Sequence, residues 1–237
     1  MPSMVPLLQH ERLTHWRRCW DEMMNGFMPG MREFEHAVAS AAGTPARVLD
    51  IGGGPGVFAG RLSTRWPSAT VDLLDLDPVL LALAEAGTGG AVTVHEADLG
   101  APTWPAAVAH RAPFDLITVV MTLHYLPARR AAALYAEARS LLRPGGTLVV
   151  ADLMPTGELP SMATAAEAVL AWERWWDEVG AALPPLMRRR RAVFATRPAA
   201  DFTPDETWHL GAARAAGFDH AELTWRRGAH AAVTATA

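Results

Sequence analysis

The stretch VLDIGGGPGVFAG, Val48 to Gly60, sets a short apolar run and one carboxylate, Asp50, ahead of a cluster of glycines. A glycine turn between a buried strand and a helix lets the backbone approach a ligand without Cβ clashes, and the helix start offers free N–H groups and a positive dipole end. A nucleotide-like ligand is expected there. A dinucleotide fingerprint needs G-x-G-x-x-G, but counted from Gly52 and Gly54 the last position is Val57. A phosphate-binding P-loop needs a lysine followed by a hydroxyl residue, and this chain contains no lysine.

Outward from this loop the chain alternates strands and helices. Apolar runs that read as buried parallel strands fall at Ala46–Ile51, Thr70–Leu76, Ala91–Ala97, Phe114–Met121 and Thr147–Leu153. Helix-like segments lie between them at Val57–Trp66, Pro78–Ala86 and Ala128–Leu142, the last closed by the RPGG stop. Repetition of this kind predicts a doubly wound sheet with right-handed crossovers. Before it, two helices separated by GFMPG are expected; after it come a long helix over Ser161–Ala182, a looser segment, a helix near Pro204–Ala216 and two strand-like runs hinged at Gly228. The 237 residues, half of them apolar, suffice for one large domain.

Charge and cysteine content narrow the class. A net charge of -4 gives no reason to expect a nucleic acid as partner, and the run Arg188–Arg191 reads as a solvated helix end. The lone Cys19 excludes an intramolecular disulfide, and no run of about 18 apolar residues suggests a membrane span; the expectation is a cytoplasmic protein, monomeric or homodimeric, away from membranes. His10, His15 and His36 lack the i, i+4 spacing of a helical metal site, so no metal is expected.

Taken in order, these motifs resemble those of class I S-adenosylmethionine-dependent methyltransferases. VLDIGGGPG is similar to that family's first motif, DLLDLDP to its acidic ribose clamp, HEADL to its adenine-contacting segment, FDLITVVMTLHYL to its fourth-strand motif, and LLRPGGTLVVADL to the fifth. The fold so implied is a Rossmann-like seven-stranded sheet, mostly parallel, with a C-terminal antiparallel hairpin. It is read as a single domain, 1–237, with an N-terminal helical lid (1–44), a cofactor-binding core (45–153), a helical substrate cap (154–203) and a last helix with the hairpin (204–237). The resemblance implies S-adenosylmethionine as cofactor and S-adenosylhomocysteine as product. It places the cofactor on Asp50, Gly52, Gly53, Gly54 and Gly56, on Asp75 for the ribose, on Asp98 with Leu76 and Leu99 for the adenine, and on Val120 and Met121. Asp75 follows Asp50 at close to the roughly 20-residue interval by which a strand-end acid reaches a ribose diol. Asp77, next to Pro78, reads instead as a helix cap.

Methyl transfer from a sulfonium carries its own leaving group, so the protein mainly aligns a nucleophile with the methyl carbon. His124 and Tyr125, just past the fourth strand, are the candidate base and substrate partners. Trp172, Trp175 and Trp176 stand at i, i+3 and i+4 and share one helical face, which packs on the helix bearing Trp16 and Trp20 or, with Phe27, Met28 and Met121, walls a cavity for a flat or hydrophobic acceptor. The expected activity is methylation of an O, N or C nucleophile on a small molecule, such as an intermediate of secondary metabolism. RNA- or protein-modifying methyltransferases and a non-catalytic cofactor-binding relative are the alternatives.

Overall fold

The computed structural model describes residues 4–156, 162–197 and 200–237. Helices α1 (Met4–Phe27) and α2 (Met31–Ala42) come first, joined through Gly30 at a φ of 87°. The alternating core follows as β1 (Arg47–Ile51), α3 (Val57–Arg65), β2 (Thr70–Asp75), α4 (Pro78–Thr88), β3 (Val92–Glu96), β4 (Phe114–Val120), α5 (Ala128–Leu141) and β5 (Leu142–Leu153). Then come α6 (Met162–Ala182), α7 (Pro184–Phe194), α8 (Glu206–Ala215), β6 (His220–Arg227) and β7 (His230–Thr236).

The strands form one seven-stranded sheet in the order β3-β2-β1-β4-β5-β7-β6. The first five are parallel, and β7 runs antiparallel between β5 and β6. Strand periodicity splits the core in two. In β5, Leu148 and Val150 join the cluster under α5 and α8, while Val149 and Ala151 join the one under α2 and α3. A third cluster sets Trp20 of α1 and Trp175 of α6 against Val79 and Leu83 of α4. Among the described residues no helix is long and apolar enough to cross a membrane.

Caps explain two of the helix starts. The Asp77 carboxylate accepts from the Val79 amide at 2.9 Å with Pro78 at the first helical position, and Asp205 accepts from Trp208 at 2.9 Å. The expected strands are found within one or two residues at their carboxyl ends, and β5 begins earlier than expected, at Leu142. The looser segment after Ala182 is a correction: it contains α7, which starts on Pro184 and runs through the arginines. Ser161, the expected start of α6, lies outside the described residues.

Candidate functional site

The carboxyl ends of β1, β2, β4 and β5 converge on the glycine loop. Gly52 has a φ of 66°, and a Cβ there would stand 2.2 Å from Thr122 Cγ2, so only glycine lets β1 turn beneath the β4 end. Thr122 in turn donates its hydroxyl to the Gly52 carbonyl at 3.1 Å. Gly54 donates its amide to Asp75 Oδ2 at 2.9 Å, and Asp75 Oδ1 accepts from Leu76 at 2.7 Å and Asp77 at 2.9 Å. The strand-end acid thus shapes the loop while Oδ2, with a single donor, keeps acceptor capacity. Burial pushes the Asp75 carboxyl above its ordinary range against these amides.

Asp50 lies beneath. Register pairs it with Thr118, whose hydroxyl donates to Asp50 Oδ1 at 2.7 Å. Oδ2 is buried without a partner. Burial, with the negative charge of Asp75 adding to it and the Thr118 bond opposing, pushes the Asp50 carboxyl up to about 7.

The β4 end carries a turn over Leu123–Tyr125, preceded by Met121 at a φ of 51°, a left-handed conformation that is strained for a residue with a side chain. That bend faces the carboxyl end of β5. His124 Nδ1 lies 2.7 Å from Oδ1 of the buried Asp152, whose Oδ2 takes the His124 amide at 3.3 Å. An ionised carboxylate only accepts, so Nδ1 carries the proton and Nε2 is left as the basic nitrogen. The Tyr125 ring packs 4.1 Å from the imidazole, centroid to centroid, and is 57% exposed. The Phe202 amide donates to the His124 carbonyl at 3.1 Å, bringing the segment before α8 onto this turn.

From the other side, α7 covers the β2 and β3 ends. Arg190 Nε donates to Asp77 at 2.5 Å while its guanidinium lies 3.7 Å above the Trp176 ring. Arg189 pairs with Glu96 at 2.6 Å and Arg197 with Asp98 at 2.6 Å. The expectation of a solvated arginine run is therefore corrected for Arg189 and Arg190, whose partners are acids at distant strand ends; Arg188 and Arg191 are exposed. Arg197 holds the Asp98 carboxyl below its ordinary range.

Residues 48–146 match a family model described as methyltransferase domain. The glycine loop, Asp50, Asp75 and strands β2 to β4 lie in that stretch, while most of β5 and all of β6 and β7 lie beyond it. Over that stretch the chain is similar to methyltransferase domains. Across 193 residues the chain is 31% identical to a trans-aconitate 2-methyltransferase of Streptomyces coelicolor, which covers 78% of this chain and 59% of the relative. A demethylspheroidene O-methyltransferase of Cereibacter sphaeroides is 30% identical over 122 residues, 50% of this chain and 31% of the relative. The chain spans between 38% and 59% of the trans-aconitate 2-methyltransferases it matches. Among solved structures, human N-acetylserotonin methyltransferase in complex with SAM superposes with a TM-score of 0.62 at 14% identity, over 96% of this chain and 56% of that one. An O-methyltransferase family protein from Burkholderia thailandensis gives 0.58 at 20%, over 86% and 56%.

Within this methyltransferase fold the sequence-predicted residues separate. Asp50, Gly52, Gly53, Gly54, Gly56 and Asp75 form one continuous loop-and-acid unit, with Leu76 beside it. Val120 and Met121 lie at the β4 end, partly buried against the α2 and α3 side. Leu99 turns its side chain into the core cluster with Trp104 and Val108, while its carbonyl takes Arg130 Nε at 2.5 Å. Met28, 1% exposed, packs with Phe34 in the core instead of lining an open cavity. Trp175 is sealed against Trp20, centroids 4.9 Å apart, as the packing reading of the stripe expects. Trp172 instead meets Phe27 at 5.7 Å, at the rim. The sequence reading missed Asp152, Arg190 and Arg197. Only Asp152 left a local signal, a lone acid ending an otherwise apolar strand.

Proposed function

We propose that this chain transfers a methyl group from S-adenosylmethionine to a hydroxyl oxygen of a small, aromatic or hydrophobic molecule, with His124 removing the acceptor's proton. The observation that carries the reading is the 2.7 Å contact between His124 Nδ1 and the buried Asp152, set where the β4 and β5 ends meet the glycine loop. The residues fit the cofactor. The loop is closed to any side chain at Gly52, the α3 amides at its far end are suited to a carboxylate, Asp75 retains acceptor capacity for ribose hydroxyls, and the unpartnered Asp50 Oδ2 gives negative potential beneath the ammonium. When bound, the cofactor supplies an electrophilic methyl and its own leaving group.

The chain's part is positioning and one proton. His124 Nε2 would take the proton of the acceptor's hydroxyl, leaving the oxygen as the nucleophile for the methyl that the cofactor would supply. Asp152 keeps the imidazole in the tautomer that does this and stabilises the imidazolium that results. Tyr125, against the same ring, orients the acceptor. Around the core, 1–44 acts as a lid and 154–203 as a substrate cap, with Trp172 and Phe27 supplying apolar wall at their junction; a cytoplasmic role in secondary metabolism suits such an acceptor.

The trans-aconitate relatives favour a second reading, esterification of a carboxylate. A carboxylate is already ionised at neutral pH and needs no base. The two readings part on one experiment: S-adenosylhomocysteine release measured for wild type, His124→Ala and Asp152→Asn with a panel of phenols and with trans-aconitate. A fall of about 10²- to 10⁴-fold in turnover for His124→Ala on a phenol, with cofactor affinity intact, is the expected result. Full activity of His124→Ala, or turnover of trans-aconitate alone, would overturn hydroxyl methylation.

A further inference from the structure

Arg17 lies in α1, far in sequence from the glycine loop, yet its guanidinium closes on that loop. Nε donates to the Pro55 carbonyl at 2.8 Å and Nη2 to the Gly56 carbonyl at 2.7 Å. The Gly56 carbonyl also accepts the first helical amide of α3, from Gly60, at 2.9 Å. Two adjacent carbonyls met by one planar fork is a geometry a lysine ammonium does not reproduce.

The fold has been cleared for this side chain. A Cβ on Gly87 in α4 would stand 2.0 Å from Arg17 Cδ and 2.7 Å from its Nε, and one on Gly60 would stand 2.9 Å from Nη2. Both glycines lie inside helices, where glycine is a poor former, and neither has a positive φ that would call for it. The channel for Arg17 is what they provide. One turn further along α1, Asp21 holds Arg61 of α3 at 2.7 Å, and Arg61 reaches Glu35 of α2 at 2.8 Å, so three helices are pinned where α3 begins. The guanidinium also adds positive charge beside the free amides and dipole end of α3, an arrangement that favours a bound anion.

We propose that Arg17 is a positioning residue for the glycine loop: by fixing the Pro55 and Gly56 carbonyls it aims the first amides of α3 at the carboxylate of the cofactor's amino-acid portion, and so couples docking of α1 to cofactor binding. This rests on the reading of the cleft as an S-adenosylmethionine site. Coupling of this kind is reciprocal, so a filled cleft also holds α1 in place.

Calorimetry with two ligands tests it. S-adenosylhomocysteine carries the carboxylate; 5′-methylthioadenosine shares the adenosine and lacks it. Arg17→Ala is expected to weaken the first about tenfold and the second less than about twofold, a selective loss of roughly one decade in Kd. Methylguanidinium in the buffer restores part of the lost affinity, and Arg17→Lys restores less than the native fork. Gly87→Ala keeps the guanidinium but displaces it from its channel; the same selective loss is expected there, and it carries the test if Arg17→Ala does not fold. Equal loss for both ligands, or no loss for S-adenosylhomocysteine, overturns the proposal. Wild-type protein that binds neither ligand overturns the cofactor reading, and the role of Arg17 with it.

Discussion

Asp50 is held in a state that costs the fold free energy until a cation arrives. It is 1% exposed, with one oxygen taken by Thr118 and the other by nothing. A carboxyl raised to about 7 in the folded chain and titrating near 3.9 when unfolded favours the fold at low pH and loses that contribution as pH rises through the folded value. Asp50→Asn is therefore expected to gain stability on wild type between about pH 4 and 7, read by urea denaturation across that range. A cofactor whose ammonium favours the ionised carboxylate must displace its proton, so wild-type affinity for S-adenosylhomocysteine is expected to rise roughly tenfold from about pH 6 to pH 8. A flat profile would free Asp50 of this role. His209 has the opposite sign. Fully buried, with Nδ1 2.7 Å from the Tyr135 hydroxyl, it is pushed by desolvation down to about 4. Its contribution is present above the ordinary histidine value and is lost as pH falls through the folded one. Tyr135→Phe removes the one hydrogen-bond partner of that ring among the described residues and is expected to cost about 1 to 3 kcal/mol at neutral pH by denaturant titration.

Helices α1 and α7 both pack on α4, and they differ in how far sequence revealed them. The segment around GFMPG, with Gly30 at a φ of 87°, was legible as a break between two helices because glycine and proline act locally. If α1 and cofactor stabilise each other, amide exchange between Cys19 and Met31 should slow when S-adenosylhomocysteine is bound, and unchanged protection would return α1 to plain packing. Local chemistry also made the five parallel strands readable, since burial on both faces writes continuous apolar runs, and it marked Asp77 as a cap. It failed where partners are remote. The stretch after Ala182 read as a looser segment and its arginines as solvated, because Asp77 and Glu96, the acids that bind Arg190 and Arg189, stand far back in the chain. Asp152 escaped for the same reason: its meaning is His124, which reaches it only once β4 and β5 are side by side.

At the scale of the molecule, α7 is fastened beside the sheet by pairs of unequal strength. Arg189–Glu96 is exposed on both sides and worth at most about 1 kcal/mol, while Arg190 sits between the buried Asp77 carboxylate and the Trp176 ring. Removing it leaves a buried charge unpaired, so Arg190→Ala is expected to cost about 3 kcal/mol and Arg189→Ala much less, with added salt mimicking the second and not the first. Comparing melting temperatures at low and high ionic strength checks this. The sheet order has a different consequence, one that concerns synthesis. β7 is the last strand in the sequence but lies between β5 and β6, and β6 is attached to the sheet only through it. As a nascent chain leaves the ribosome, the β5 edge stays open with its backbone groups unpaired until residues 230–236 clear the exit tunnel. The half-made sheet is then a template for any other strand nearby, and its closure belongs after translation of this stretch, in competition with chaperones.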